Sequence, residues 1–130
     1  MNITEKVKSY EDACEVKGVD PVENLPYKEP VNTDQKAINA FAKITTIIQV
    51  LNEGWQPDWN NDDEYKYYPW FDMETYPDQV GSGVGFSFGG YGCGGSASGV
   101  GSRLVFRTRA LAEYAGKQFL DIYRAYMVIE

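Results

Sequence analysis

The first residues that could do chemistry are the acids and amides of the segment DWNNDDE, which begins at Asp58. Asp58, Asn60 and Asp62 match positions one, three and five of a calcium-binding loop. The match then fails, because Asp63 stands where the loop needs glycine and Pro69 stands where it needs a bidentate glutamate. We therefore predict a solvated turn, in which Asn and Asp side chains bond to the local backbone, and no metal site.

Other catalytic chemistries find little support in the composition. Histidine is absent, which removes histidine-dependent triads, histidine general bases and histidine-ligated zinc. The two cysteines, Cys14 and Cys93, fit no metal-binding spacing, and we interpret them as free thiols. Paired carboxylates could hydrolyse glycosides, but 19 acids in 130 residues make chance pairs common. We predict a protein that is not an enzyme and has no cofactor.

A second stretch with a chemical motif is rich in glycine. Ten of the 21 residues from Gly81 to Gly101 are glycine, and Gly90, Gly92 and Gly95 satisfy G-x-G-x-x-G. The strand–turn–helix context that a phosphate-binding loop requires is missing, so we interpret the match as accidental. Two alternatives stay open for residues 89–99: a flexible hairpin loop, or a mobile flap over a ligand.

The aromatic stretch Leu51–Met73 holds all three tryptophans, with acids between the rings and Lys66 as its one base. Some rings must pack in the core, and we expect this of Trp70 and Phe71. The exposed remainder would form a recognition surface, because tyrosine and tryptophan combine a large apolar area with a polar tip. The candidate binding residues are Trp55, Trp59, Tyr65, Tyr67, Arg103 and Arg107. Within this set, we expect exposed rings at Tyr67 and Trp59 and a cation–π contact between Arg103 and Tyr67.

The net charge of −7 bears on the partner. It disfavours a general nucleic-acid binder, which normally has a basic footprint. The charge is uneven, however, because residues 99–130 contain all four arginines and only three acids. Our leading hypothesis is therefore a protein partner that contacts an aromatic and acidic surface. The alternative is single-stranded nucleic acid or a nucleotide stacked on exposed rings beside the arginines. We predict no membrane span and no signal peptide.

Two capped helices are predicted in the N-terminal half. Ser9 caps a helix over Tyr10–Lys17, which Gly18 closes. A linker with three prolines follows at residues 19–31. Asn32 then caps a long amphipathic helix that ends near Gly54. Its predicted buried face is Ala37, Ile38, Phe41, Ile44, Ile47, Ile48 and Leu51.

The C-terminal half is predicted to form a sheet and a last helix. Tyr65–Phe71, Val80–Phe88 and Val100–Phe106 read as strands of a three-stranded antiparallel meander, with Pro69 pushing the first strand toward an edge. Thr108 caps the last helix, whose buried stripe is Leu111, Ala115, Phe119, Ile122 and Tyr126. We predict one α+β domain over residues 1–130, with the last helix packed on one sheet face.

Several segments resemble a group of short, uncharacterised proteins of gut Bacteroides phages and prophages. The most specific are YKYYPWF (Tyr65–Phe71), GVGSRLVF (Gly99–Phe106) and AEYAGKQF (Ala112–Phe119). The resemblance implies a phage-associated protein in the bacterial host cytoplasm or the virion, and it implies no catalytic residues. The chain departs from the group at GGYGCGGSASG, so any role of that segment would be its own.

Overall fold

The computed structural model describes residues 2–74 and 86–130. This part of the chain contains five helices and a small antiparallel sheet. The helices are α1 (Ile3–Lys6), α2 (Tyr10–Lys17), α3 (Thr33–Leu51), α4 (Arg109–Gln118) and α5 (Leu120–Met127). The strands are β1 (Lys66–Asp72) and β2 (Ser87–Gly94), and a 3₁₀ turn covers Ser102–Leu104.

The predicted N-terminal helices are confirmed, together with their caps. The Ser9 hydroxyl accepts a hydrogen bond from the Asp12 amide at 3.0 Å, and Gly18 closes α2 in the left-handed conformation with φ 81°. The Asn32 side chain accepts from the amide of Gln35 at 2.8 Å and so starts α3. The short helix α1, capped by the Asn2 side chain, is an addition that the sequence pattern did not indicate.

The core lies where α3 packs against α2 and α5, and it continues through α4, which packs on the sheet. Ile44, Ile47 and Leu51 of α3 are fully buried, as their helical spacing predicted. Ile38 departs from the predicted stripe, since 45% of it is exposed. Fully buried partners come from α2, α4 and the segments beside the helices and strands: Val7, Ala13, Cys14, Phe106, Ala112 and Ala115.

The predicted three-stranded meander is wrong, because the described sheet contains only β1 and β2. Val100–Phe106 touches β1 at a single bridge, where Tyr67 and Phe106 exchange backbone hydrogen bonds of 3.0 and 2.6 Å. Along a strand, the backbone N–H and C=O groups of every second residue point to the same edge. After Tyr67, the next residue of β1 whose groups point to the edge paired by Phe106 is therefore Pro69. Proline has no N–H to donate, and the pairing stops there.

The second strand also differs from its prediction. Residues 80–85 of the predicted strand Val80–Phe88 lie outside the described residues. Strand β2 instead runs through the glycines, at Ser87–Gly94, so the predicted loop at residues 89–99 is a strand over its first part. The register pairs Tyr67 with Cys93 and Asp72 with Ser87, and it is interrupted by a bulge between Trp70 and Phe71.

The predicted last helix is two helices, separated by a break at Phe119. Thr108 caps α4 as predicted, and Phe119 is 3% exposed, in the core. Its backbone leaves the helical region at φ −109°, ψ 31°, which ends α4 and shifts the buried stripe. Tyr123 is therefore buried on α5, whereas the predicted Ile122 and Tyr126 are half-buried.

Helix α4 packs on one face of the sheet, and Gly116 makes this approach close. A Cβ atom added at Gly116 would lie 2.6 Å from the Phe88 ring and 2.8 Å from Cβ of Pro69. Both of those residues belong to the face that also carries Tyr67, Phe71 and Tyr91, which we call the helix face.

Candidate binding surface

The turn that precedes β1 is held by short-range hydrogen bonds from its own acids and amides. The Asp58 carboxylate accepts from the amide of Asn60 at 3.0 Å, and the Asn61 side chain accepts from the amide of Asp63 at 3.0 Å. The Glu64 carboxylate in turn accepts from the amide of Asp58 at 2.8 Å. These are the local backbone bonds that the composition predicted.

A lysine ammonium group lies at the centre of this turn. Lys66 is 1% exposed, and its Nζ donates to the carbonyls of Asp58 at 2.6 Å, Asn61 at 3.0 Å and Gly95 at 2.8 Å. The Trp59 ring lies 5.1 Å from the same nitrogen. An ammonium has three protons to donate, and all three have a carbonyl partner here. Lys66 thus joins the turn to the chain that leaves β2, in the manner of a bound cation.

The sheet face opposite the helix face is built from rings and glycines. Side chains of β1 alternate, so Tyr68, Trp70 and Asp72 share this face with the register partners Gly92, Gly90 and Ser87 of β2. A Cβ atom at Gly92 would lie 2.5 Å from the Tyr68 ring and 2.7 Å from Nε1 of Trp70. Both rings therefore lean over a strand that has no side chain beneath them. We call the surface formed by these six residues the glycine face.

Trp70 corrects the predicted assignment of buried and exposed rings. We expected it in the core, but 57% of it is exposed on the glycine face. Phe71, on the helix face, is half-buried and packs as predicted, with its ring centroid 4.9 Å from that of Phe86 and 4.7 Å from that of Tyr123. The bulge after Trp70 and the absence of side chains at the facing glycines leave the tryptophan ring at the surface.

Two of the predicted binding residues do come together. Trp55 and Arg103 line one open cleft of about 550 Å³, between the end of α3 and the 3₁₀ turn. Trp59 lies beside this cleft, where its indole N–H donates to the Ser102 hydroxyl at 2.6 Å. Arg103 is exposed as expected, although it lies in the turn and not in a strand.

The other predicted contacts are arranged differently. Tyr67 is half-buried, and its ring lies 5.9 Å from that of Tyr91. The arginine on this tyrosine pair is Arg109, 4.5 Å from the Tyr91 centroid, so the contact predicted between Arg103 and Tyr67 is wrong. The hydrogen bond that Arg109 donates to Glu113 raises the pKa of its guanidinium above an ordinary value that is already high. Arg107, a predicted binding residue, forms an ion pair with Glu53 at 2.8 Å. Its charge is therefore paired within the chain and not presented to a ligand.

The exposed charges of the aromatic stretch around the glycine face are all negative. Lys66, the one base of the aromatic stretch, is sealed inside the turn, while the acids of that stretch are at the surface. The exposed acids that precede and follow the Tyr68–Trp70 pair along the chain are Asp58, Asp62, Asp63, Asp72 and Glu74. Tyr65, another predicted binding residue, is 56% exposed between them.

Sequence reasoning missed strand β2, although the spacing of its glycines indicates a strand. Gly90, Gly92 and Gly94 alternate with Tyr91 and Cys93, and such period-two spacing is typical of a strand with one bare face. The high glycine content of residues 89–99 favours a loop, and the loop prediction followed this content and not the alternate spacing. Of the predicted loop glycines, Gly90 and Gly92 belong to β2, and Gly95 follows it.

No family model, no curated protein sequence and no solved structure matches this chain. Over residues 2–74 and 86–130, no group of three or more cysteines and acids is arranged to hold a metal ion. Within the same residues, no helix has the length and apolar character needed to cross a membrane.

Proposed function

We propose that this protein is a small, non-enzymatic binding module that recognises another protein through the glycine face. The observation that carries the proposal is Trp70, which is 57% exposed beside the Tyr68 ring. Tryptophan ranks among the residues that contribute most to interfaces, because its large ring gains much when a partner excludes water from it. The glycines of β2 keep the surface beneath the rings free for a partner to approach.

The partner should present a basic, extended segment. Asp72 lies on the glycine face next to Trp70, and the aromatic stretch Leu51–Met73 contains no exposed base beside its exposed acids Asp58, Asp62, Asp63 and Asp72. A lysine or arginine side chain over Trp70 would gain a cation–π contact of about 0.5–1 kcal/mol, and more once water is excluded. The acids and the net charge of −7 would also speed the encounter with a basic partner.

The biological setting belongs to the same proposal. The resemblance of YKYYPWF and AEYAGKQF to phage proteins supports a role as a structural or accessory protein of a phage or prophage. It would then act in the bacterial host cytoplasm or in the virion.

The experiment compares two labelled peptides, one alternating glycine and lysine and the other alternating glycine and glutamate. Fluorescence anisotropy measures their binding to the wild-type protein, to Trp70→Ser and to Ile38→Ser. Ile38 is a matched control, because it is an apolar residue exposed to 45% on α3. We expect the lysine peptide to bind, with affinity reduced tenfold or more by Trp70→Ser and unchanged by Ile38→Ser. Equal binding of the lysine peptide to wild type and Trp70→Ser would contradict the proposal, as would equal binding of the two peptides.

A second candidate function rests on the cleft that Trp55 shares with Arg103. An indole beside a guanidinium is suited to a stacked base and its phosphate, and Arg103 has no ion pair among the described residues. This arrangement keeps a nucleotide or single-stranded nucleic acid as the alternative ligand.

A further inference from the structure

Strand β2 has a second edge, turned away from β1, with which no other strand pairs among the described residues. Tyr67 of β1 exchanges both of its backbone hydrogen bonds with Phe106, so its N–H and C=O groups point away from β2. Directly opposite residues of an antiparallel pair alternate between bonded and non-bonded positions. Cys93, opposite Tyr67, and Tyr91, opposite Pro69, therefore direct their N–H and C=O groups to this second edge. We call it the outer edge.

The outer edge is accessible to a partner. Cys93 is exposed, and so are Ser87 and Gly89 of the same strand. Among residues 2–74 and 86–130, no turn or loop forms a backbone hydrogen bond with Tyr91 or Cys93. An exposed row of unpaired backbone groups is a template on which a strand of another chain can pair.

The two faces of the sheet would sort the side chains of such a strand by charge. Helix α4 places two exposed bases on the helix face. The guanidinium carbon of Arg109 lies 4.5 Å from the centroid of the Tyr91 ring, and Nζ of Lys117 lies 5.3 Å from that of Phe88. The six residues of the glycine face include Asp72 and no base. Since side chains alternate between the faces, basic residues are favoured at every second position of the added strand.

We propose that the basic partner segment binds as a third, antiparallel strand on the outer edge of β2, with a basic residue at every second position. This inference rests on the proposed function and adds how the segment is held. Its backbone pairs with Tyr91 and Cys93, and the antiparallel direction is slightly more stable per residue than the parallel one. Its basic side chains lie on the glycine face, and the residues between them, on the helix face, are small and uncharged.

Trp70 is placed to meet these basic side chains. Its ring extends across β2 toward the outer edge, since a Cβ atom added at Gly92 would lie 2.7 Å from its Nε1. Neighbouring strands are about 4.8 Å apart. A lysine opposite Gly92 therefore reaches the ring with its own flexible side chain and forms a cation–π contact there.

The first test removes hydrogen-bond donors from the peptide and leaves the protein unchanged. The alternating glycine–lysine peptide is compared with a form in which sarcosine replaces two central glycines and a form with two central lysines methylated on the backbone nitrogen. In antiparallel pairing the glycine N–H groups face β2 and the lysine N–H groups face solvent. Fluorescence anisotropy should show about tenfold weaker binding of the sarcosine form and little change for the other. Equal affinities of the two forms would overturn the proposal, and a loss confined to the methyl-lysine form would overturn the antiparallel direction.

The order of residues in the peptide tests the alternation. A peptide of the same composition with its lysines in adjacent pairs must direct half of them to the helix face, beside Arg109 and Lys117. We expect it to bind about fivefold more weakly than the alternating peptide. Equal affinity would overturn the requirement for a basic residue at every second position.

The outer edge is tested in the protein by Cys93→Pro, because proline has no N–H to donate and the Cys93 N–H is not used in pairing with β1. Cys93→Ala keeps the N–H and is the control. Cys93→Pro should bind the lysine peptide about tenfold more weakly, with Cys93→Ala unchanged. Hydrogen exchange in the wild-type protein gives the same information without a substitution. The peptide should slow exchange at the amides of Tyr91 and Cys93 but not at Gly92, whose N–H already faces β1.

The outcomes separate this proposal from the proposed function. A lysine peptide whose affinity depends on Trp70, with unslowed exchange at Tyr91 and Cys93 and no effect of sarcosine, would overturn strand addition and leave the proposed function standing. Binding that sarcosine weakens but Trp70→Ser leaves unchanged would contradict recognition through the glycine face and support pairing at the outer edge. Failure of the lysine peptide to bind would overturn both.

Discussion

At the scale of single residues, Lys66 places a positive charge at the centre of a turn whose sequence resembles a calcium loop. The turn between Asp58 and Glu64 directs the backbone carbonyls of Asp58 and Asn61 inward, and these meet the ammonium of Lys66. A third carbonyl, from Gly95, completes the shell. The cation that organises this turn is thus encoded in the chain itself.

Replacing Lys66 by methionine tests this role. The three carbonyls would lose a charged donor while the aliphatic part of the side chain stays filled, so we expect a loss of about 3 kcal/mol in the free energy of unfolding. Urea denaturation measures the change. Lys36→Met is the control, because Lys36 is exposed on α3 and its loss should change stability by less than about 0.5 kcal/mol. A similar small loss in Lys66→Met would show that the turn does not depend on the ammonium.

Buried tyrosines predict how stability depends on alkaline pH. Burial raises the pKa of Tyr10 to about 12, and burial raises the pKa of Tyr123 as well. In the unfolded chain, a tyrosine loses its proton near pH 10. Above that pH the unfolded state therefore binds fewer protons than the folded state, and stability falls as pH rises.

The melting temperature should accordingly stay constant up to about pH 9 and fall between about pH 10 and 12. Tyr123→Phe removes one of the responsible groups, so its melting temperature should fall less steeply in the same range. Thermal denaturation followed by circular dichroism gives both curves. Parallel curves for wild type and variant would mean that Tyr123 ionises as readily in the folded protein as in the unfolded chain.

At the scale of elements, β2 shows how glycine can shape a strand. The positions of the Tyr68 and Trp70 rings depend on the absence of a side chain at Gly92, since an added Cβ atom would meet both rings. These contacts are with the far ends of two side chains, which can rotate away. Gly92→Ala should therefore displace the rings and cost about 1 kcal/mol, the lower end of the range for overpacking.

Tryptophan fluorescence can detect this displacement, because Trp70 would change its surroundings. We expect a changed emission spectrum for Gly92→Ala with little loss of melting temperature. Gly99→Ala is the matched control, since a Cβ atom at Gly99 would meet nothing within 4 Å. An unchanged spectrum in Gly92→Ala would indicate that the rings do not lie over this strand.

The helices could be predicted from the sequence because their signals are local. Each helix cap is a hydrogen bond between a side chain and the amide three residues further along the chain, so four residues of sequence are enough to predict it. The capping residues are Ser9, Asn32 and Thr108. The meander could not be predicted in this way, because pairing depends on which edge Pro69 faces once the Tyr67–Phe106 bridge has formed. The break at Phe119 also lacks a local signal, since no proline or glycine marks it.

The candidate site was predictable in composition but not in arrangement. The sequence identified an acidic, aromatic stretch, and five of its six acids are exposed, while Glu64 is half-buried. It could not decide which face of β1 would be covered, because that depends on where α4 packs. Trp70 was therefore assigned to the core, and Arg103 was paired with the wrong ring.

At the scale of the whole molecule, charge separates the two candidate functions. Three of the four arginines form ion pairs with carboxylates of the chain, and only Arg103 has no such pair among the described residues. The paired carboxylates, for Arg107, Arg109 and Arg124 in turn, are Glu53, Glu113 and Glu130. A phosphate backbone would thus meet one unpaired arginine on a protein with a net charge of −7.

We therefore expect no micromolar binding of oligothymidine at physiological salt. Tryptophan fluorescence in a titration at about 150 mM salt measures this, because a base stacked on Trp55 would quench the emission. If oligothymidine does bind, the affinity should fall steeply with rising salt, since each neutralised phosphate releases a counterion. Arg103→Gln should then abolish binding, while Arg124→Gln, whose guanidinium is paired with Glu130, should leave it unchanged. Salt-sensitive binding with this dependence on Arg103 would assign the Trp55 cleft to nucleic acid and make the alternative function the leading one.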